Sequence, residues 1–129
     1  MSTRCQIGFY RSHDQPLDPP DAMFYRHSDG YPDSKHGVVE QLLPFLKRFH
    51  ADRGLSDAEY AAARSLAHLI RLTASDGLLG YGIDGSGGLH GDIEYFYRVD
   101  PSGLTVFTVP LSSGKQEFLC MEQKEFHPV

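Results

Sequence analysis

The chain has 129 residues, 40% of them hydrophobic, and no apolar stretch approaches the roughly 18 residues of a membrane span, so we expect one soluble globular domain over residues 1–129. Seventeen acidic against twelve basic side chains give a formal net charge of −5, which argues against nucleic acid as a partner, because phosphate backbones attract clustered lysine and arginine. The first residues, MSTRCQIGFY, lack the apolar run of a secretory signal, which favours a cytoplasmic protein without membrane contact.

Two strands are predicted before residue 30. The first is RCQIGFY, in which apolar and polar side chains alternate and Cys5, Ile7 and Phe9 share one face. A loop rich in proline and aspartate follows. The second strand is AMFYRHS, which places Tyr25 and His27 on a common face. We expect the two strands to pair as an antiparallel hairpin with a long connection.

Two helices are predicted next. The first has apolar residues at helical spacing over residues 38–49 and contains Pro44, which should kink or split it because proline removes a backbone donor. The second begins at SDAE, where Ser56 is the expected N-cap and Glu59 completes a capping box. It is expected to continue until Gly77.

The remainder of the chain predicts strands alone. They are LLGYGI, DIEYFYRV, LTVFTV and QEFLCME, and the turns DPSG and SSGK join the last three into a C-terminal meander. In DIEYFYRV the alternation places Ile93, Tyr95, Tyr97 and Val99 on one face. The order is ββααββββ, and we expect an α+β domain in which two helices pack on one face of an antiparallel sheet of five or six strands.

The two cysteines, Cys5 and Cys120, fall in predicted strands at opposite ends of the chain. No CxxC occurs, which excludes a thiolate metal knuckle. Buried, reduced thiols are the interpretation that suits a cytoplasmic protein. The sequence predicts neither a metal nor another cofactor.

The first candidate site is YRHSDGYPD, the polar segment of residues 25–33. Asp29 and the following glycine are typical of a tight turn, so a purely structural role is one interpretation. The other is a ligand site, because His27 carries a side chain whose charge switches near neutral pH. With Asp29 and Tyr31 beside it, His27 could bind a small polar ligand or orient a water molecule.

The second candidate is GSGGLHGDIEY, the polar segment of residues 85–95. His90, Asp92 and Glu94 alternate, so on a strand their side chains would point the same way. They could bind a ligand, or simply form a solvent-facing polar row. If the two polar segments meet, His27, His90 and Asp92 could in principle act as two histidines and one carboxylate around a metal.

Four stretches carry a resemblance that spans roughly residues 2–110: STRCQIGFY, YRHSDGYP, LLPFLKRF and LHGDIEYFYRV. The chain resembles a group of small, uncharacterised proteins from bacterial and phage genomes in which these segments follow the same order. The resemblance implies a compact intracellular domain of mobile-element origin. It implies no activity.

The leading functional hypothesis is a small non-catalytic binding or regulatory domain that acts through the surface of the two polar segments. Its partner would be a second copy of the chain, an unidentified protein or a small polar ligand. The alternative is a small metal-assisted or acid–base enzyme, in which His27 or His90 is the base or ligand and Asp29 and Asp92 orient it.

A third hypothesis is a homodimer building block. Tyrosine clusters suit protein interfaces because the ring is apolar and its tip is polar. Phe96 lies on the opposite strand face from Tyr95 and Tyr97, so both faces of the sheet need to be covered. A homodimer formed across the exposed face or edge would cover it.

Overall fold

The computed structural model of the chain describes residues 3–33, 35–73, 80–85, 90, 92–109 and 123–126. Its elements in chain order are β1 (Cys5–Phe9), β2 (Ala22–Arg26), α1 (Val38–Arg53), α2 (Ala58–Leu72), β3 (Tyr81–Ile83), β4 (Tyr95–Asp100), β5 (Gly103–Thr108) and β6 (Gln123–Phe126). The α+β class with two helices is therefore confirmed, and the elements follow the order ββααββββ. The predicted last strand, QEFLCME, lies outside the described residues, and β6 follows it in the chain. Cys120 lies outside the described residues.

The six strands form one mixed sheet in the order β3-β2-β1-β4-β5-β6. β1 runs parallel to β4, whereas every other neighbouring pair is antiparallel. The prediction of an antiparallel sheet is therefore wrong. A C-terminal meander is present, because β4, β5 and β6 pair in succession and antiparallel, whereas β3 pairs with β2 at the opposite edge. A parallel pair needs a long connection, and the segment with β2, both helices and β3 provides one between β1 and β4.

The face of the sheet that carries both helices holds the larger core. Cys5, Ile7 and Phe9 point into it, as the alternation in β1 predicts, and Tyr97 and Val99 of β4 join them. The helices contribute Val38, Leu42, Leu46, Phe49, Ala58, Ala61, Ala62 and Leu69. β1 is buried along its whole length because it lies at the centre of the sheet, not half-buried as predicted.

The opposite face of the sheet is also apolar. A second cluster there contains Tyr10, Met23, Ile93, Phe96, Phe107 and Val109, with Leu17 of the β1–β2 loop packed against it. Phe96 is fully buried by the chain itself, so its burial requires no second copy. Ile93 was predicted on the face of Tyr95 and Tyr97, but it belongs to this second cluster because β4 begins only at Tyr95.

Pro44 in α1 and both ends of α2 differ from the prediction, whereas α1 ends before Gly54. α1 is continuous through Pro44, and therefore is not split there. α2 is capped by Asp57, whose side chain accepts a hydrogen bond from the backbone of Tyr60 at 3.2 Å, and not by Ser56. The carboxylate satisfies one of the free amides at the helix start. α2 ends at Leu72, before the predicted end.

The long β1–β2 loop is anchored to the β4–β5 hairpin through Asp100, a buried carboxylate. Asp100 accepts hydrogen bonds from Arg98 Nε at 2.7 Å and Ser102 Oγ at 2.6 Å, and His13 Nδ1 of the loop lies 3.0 Å away. Arg98 also donates to the carbonyl of His13 and lies over the ring of Tyr10. Burial alone would raise the pKa of Asp100, but the hydrogen bonds from Ser102, Arg98 and His13 outweigh it and hold that pKa below its usual value.

Candidate ligand-binding cleft

The two polar segments meet at a cavity of about 290 Å³ on the sheet face opposite the helices. We call this cavity the histidine cleft. It is lined by Arg4, Cys5, Tyr25, Arg26, His27, His90, Asp92 and Ile93. Three of the six predicted binding residues, His27, His90 and Asp92, therefore lie around one cavity.

Cys5 and Arg26 form the floor of the histidine cleft. They lie opposite each other in the β1–β2 register. The Cys5 side chain is in the helix-side core and Arg26 donates to Gln41 of α1, so both side chains leave the sheet on the far side. Because successive side chains along a strand point to opposite faces of the sheet, Arg4 and Tyr25 point to the cleft side.

Tyr25 is the aromatic wall of the cleft. The ring of His27 packs edge-on against it with 4.9 Å between centroids, and that of His90 does so from the second polar segment at 5.1 Å. Tyr25 pairs with Gly82 across β2 and β3, and its ring covers the space that a Cβ at Gly82 would occupy. The ring is thus fixed between the glycine and the two imidazoles.

His90 is held by two polar groups that the sequence alone did not single out. Its Nε2 lies 2.6 Å from Oδ1 of Asp84, a side chain with only 9% of its surface exposed. Its backbone N–H donates to Oε1 of the fully buried Gln6 at 3.0 Å. The side-chain amide of Gln6 also donates to Asp84 at 3.2 Å, so Gln6 connects Asp84 with the backbone of His90. This network of Asp84, Gln6 and His90 fixes the imidazole and leaves Nδ1 as the ring nitrogen available for binding.

Arg4 and Asp92 form an ion pair at the rim of the cleft. Arg4 Nη1 donates to Asp92 Oδ2 at 2.9 Å, and the two side chains are 43% and 55% exposed. An ion pair this exposed contributes at most about 1 kcal/mol to stability. It does, however, neutralise one charge at the mouth of the cleft, which matters for what the cleft can bind.

Asp29 and Tyr31 do not line the cleft. Tyr31 donates to Asp29 at 3.0 Å, and Asp29 occupies a turn with φ of 54°, a conformation that aspartate tolerates better than most residues. The next residue, Gly30, accepts a hydrogen bond from the buried Tyr97 hydroxyl at 2.6 Å and donates to the carbonyl of Thr3. Asp29 and Tyr31 therefore have the structural role of a tight turn, as one of the two interpretations of the first polar segment expected.

Glu94 does not line the cleft either. Its backbone N–H donates to the carbonyl of Arg4 and its carbonyl accepts from Val109, so it continues the sheet ladder. The expected polar row of His90, Asp92 and Glu94 on one strand face is wrong. β4 begins at Tyr95, and His90, Asp92 and Ile93 lie before it, outside the strand.

Arg26 supports the bend of the first polar segment from below. It is 3% exposed and donates to the carbonyls of Ser28 and His36, at 2.8 Å and 2.9 Å, and to Oε1 of Gln41 at 2.7 Å. These bonds tie the turn to the start of α1. A buried guanidinium is tolerated here because each of its three nitrogens finds an acceptor.

Neither a metal site nor a nucleophilic triad emerges from the described part of the chain. No three histidine, cysteine, aspartate or glutamate side chains there come together to hold a metal ion. His13, Asp100 and Ser102 do come together, but Ser102 and Asp100 both contact the same nitrogen, Nδ1, of His13. A triad needs the serine and the acid on opposite ring nitrogens.

Two other cavities lie away from the two polar segments. One of about 460 Å³ lies beside the start of α2, where Asp57 caps the helix and Arg11 pairs with Asp21 at 3.3 Å. The other, of about 290 Å³, is mostly apolar and lies between β2, β3 and α2. Neither brings together polar side chains from both polar segments.

Sequence reasoning missed Arg4, Gln6 and Asp84. A signal for Asp84 was present, because it directly follows the predicted strand LLGYGI and precedes the glycine-rich loop, a position where polar side chains gather at a sheet end. Gln6 and Arg4 fit the ordinary polar side of a half-buried strand. Only the pairing of β1 between β2 and β4 shows what they face.

Comparison of the chain with protein-family models, with curated proteins and with solved structures found no match. Across the ranges that the structure describes, neither helix has the length and apolar character needed to cross a membrane. The function must therefore be inferred from the geometry of the cleft.

Proposed function

We propose that the protein is a small binding domain that takes a small polar ligand in the histidine cleft. One observation carries the proposal: His27 and His90, 63 positions apart in the chain, pack against the same Tyr25 ring at the edge of one cavity. Convergent polar groups at the edge of a cavity are typical of a small-molecule site.

The size and the walls of the cleft support this proposal. Small-molecule sites span about 300–1,000 Å³, so a cavity of about 290 Å³ suits a ligand at the small end of that range. Tyr25 and His90 are fixed by their neighbours, so little ordering entropy would be lost on binding. His27 is exposed at the rim and can adapt to the ligand.

The test is chemical-shift mapping of the ¹⁵N-labelled protein with acetate, phosphate, acetamide and glycerol added singly. We expect at least one probe to give saturable shifts that cluster on Tyr25, His27, His90 and Asp92. The His27→Ala/His90→Ala variant should lose those shifts, and His36→Ala, an exposed histidine outside the cleft, should keep them. Shifts that scatter over the surface, or that persist in the double variant, would contradict the proposal.

The Asp84–His90 pair favours a second candidate, an acid–base enzyme. A carboxylate 2.6 Å from one ring nitrogen orients the imidazole and fixes the tautomer, so that the other nitrogen is the one that could accept a proton. The orienting carboxylate would then be Asp84, in place of Asp29 or Asp92.

The acid–base candidate is tested by turnover of p-nitrophenyl acetate and p-nitrophenyl phosphate. A general base supplies roughly 10²–10⁴-fold in rate, so His90→Ala should abolish turnover and Asp84→Asn should reduce it, while His36→Ala should not change it. Equal rates in the wild type and His90→Ala would reject this candidate for these substrates.

A cytoplasmic location, kinship with the bacterial and phage group, and self-association stay predictions. Exposed large apolar side chains would favour self-association, and the most exposed among the described residues is Ile83, which is 77% exposed on the edge strand β3; Leu72 and Ile70 are also exposed. Sedimentation at high concentration tests it directly, and a monomer there would reject a homodimer.

A further inference from the structure

Three side chains of the histidine cleft keep nitrogen atoms that bind nothing within the described residues. Arg4 uses only Nη1 there, in its bond to Asp92, and its Nε is buried without a hydrogen-bond partner among those residues. Within the same ranges neither ring nitrogen of His27 forms a hydrogen bond, and His90 uses only Nε2. Because Nε is buried, Nη1 and Nη2 are the guanidinium nitrogens that a ligand in the cleft can contact.

The two carboxylates at the cleft, in contrast, already accept hydrogen bonds from protein groups. Asp84 is bonded by His90 and Gln6, and Asp92 is bonded by Arg4. Asp84 thus has two partners within the protein, and Asp92 has Arg4 at one of its two oxygens. The donors that remain for a ligand are the guanidinium of Arg4 and a ring N–H of His27, to which His90 adds Nδ1–H in its imidazolium form.

We propose that the ligand carries a compact oxyanionic group, a carboxylate or a phosphate, bound by the guanidinium of Arg4, by a ring N–H of His27 and, when His90 is in its imidazolium form, by Nδ1–H of His90. This inference rests on the proposed function and names the chemical class of its ligand. A guanidinium presents two parallel N–H groups that match the two oxygens of such a group. The aromatic face of Tyr25 forms the adjacent wall for the rest of the molecule.

Asp92 opposes the binding of an anion in the cleft. In the free protein it occupies Nη1 of Arg4, the same guanidinium that the ligand needs. It thus competes with the ligand for Arg4 and repels an anion at the mouth of the cleft. Removing its charge should strengthen anion binding, whereas it should weaken the binding of a cation.

The experiment compares acetate with acetamide, which has nearly the same shape but no charge, and with inorganic phosphate, all at constant ionic strength. We expect saturable shifts at the cleft with acetate and phosphate and none with acetamide. Asp92→Asn should bind both anions about fivefold more tightly, which is the scale of a partly exposed ion pair. The stronger of the two anions identifies whether carboxylate or phosphate is preferred.

Arg4→Gln/Asp92→Asn has the same net charge as the wild type and isolates the guanidinium. We expect this double variant to lack the tighter anion binding of Asp92→Asn and to bind the anions more weakly than the wild type. Asp14→Asn and Arg71→Gln, both exposed and outside the cleft, should leave the affinities unchanged.

The outcomes separate this inference from the proposed function. If acetamide binds in the cleft as well as acetate does, or if Asp92→Asn weakens anion binding, the oxyanion inference is overturned while the binding function stands. If acetate, phosphate, acetamide and glycerol all fail to shift the cleft residues, both are overturned.

Discussion

Tyr25 and Gly82 lie directly opposite each other on β2 and β3, and the Tyr25 ring covers the glycine. A residue with a side chain at position 82 would occupy the space of the Tyr25 phenol group. The glycine therefore sets the position of the ring against which both His27 and His90 pack. Glycine in a strand often marks such a close approach.

Gly82→Ala should displace Tyr25 and disturb the cleft. A Cβ at this position overlaps Cζ and Oη of the tyrosine, so we expect a loss of about 1–3 kcal/mol in the free energy of unfolding. The ring resonances of His27 and His90 should shift with it. Gly80→Ala is the matched control, because a Cβ there meets no atom within 4 Å. Wild-type stability and unchanged histidine spectra in Gly82→Ala would show that Tyr25 is not fixed by the glycine.

Asp84 and His90 should be energetically coupled. A double-mutant cycle with Asp84→Asn, His90→Ala and the double variant measures that coupling in urea unfolding. Hydrogen bonds to charged groups contribute about 1.5–3 kcal/mol, and we expect a coupling of about 1.5 kcal/mol, reduced because His90 is 39% exposed. The same cycle on Asp14 and His36 should give no coupling. Additive losses in the first cycle would mean that the 2.6 Å contact contributes nothing to stability.

Asp100 should stabilise the protein at neutral pH and less in acid. Its pKa in the folded state is below its ordinary value of 3.8, so the unfolded chain binds the proton first as pH falls. The stabilisation is complete above pH 3.8, the ordinary pKa of the group, and is lost as the pH falls through the lower pKa of the folded state.

The measurement is urea unfolding of the wild type and Asp100→Asn from neutral pH down to below 3.8. Asp100→Asn should cost about 3 kcal/mol at neutral pH, because it leaves the buried Arg98 without a charged partner. This difference should shrink in acid, whereas that for the exposed Asp14→Asn should stay near zero. A difference that is constant across the range would contradict the role assigned to the Asp100 carboxylate.

The Cys5 thiol should be unreactive in the folded protein. Burial raises its pKa to about 12, against a smaller opposing effect of Arg26, so almost no thiolate exists near neutral pH. In a Cys120→Ser background, Ellman's reagent should label Cys5 only after unfolding, at the rate of global unfolding. Rapid labelling under native conditions would show that the floor of the cleft opens.

Much of the fold could be predicted from local patterns. The alternation of Cys5, Ile7 and Phe9 indicated the inward face of β1, and the helical spacing of apolar residues over 38–49 indicated α1. These features depend on neighbours within one or two turns of chain, which the sequence lists directly. The helix start was missed by one residue because Ser56 and Asp57 are both good caps, and which of them caps depends on the backbone of the preceding loop.

The parallel pairing of β1 with β4 could not be predicted in this way. Both strands have one apolar face in the helix-side core, and local alternation says nothing about which strands become neighbours. That pairing places Arg4 beside Asp92 and Gln6 beside His90, side chains separated by more than 80 positions. The cleft therefore follows from strand order, not from either polar segment.

The sequence by itself determined the elements, their order, and three of the residues that line the cleft: His27, His90 and Asp92. The tertiary structure decided that Asp29, Tyr31 and Glu94 serve the turn and the ladder, and that Arg4, Gln6 and Asp84 serve the cleft. The physical reason is that secondary structure is set by contacts between near neighbours in the chain. A binding site is set by which strands burial brings side by side, and that depends on the whole chain at once.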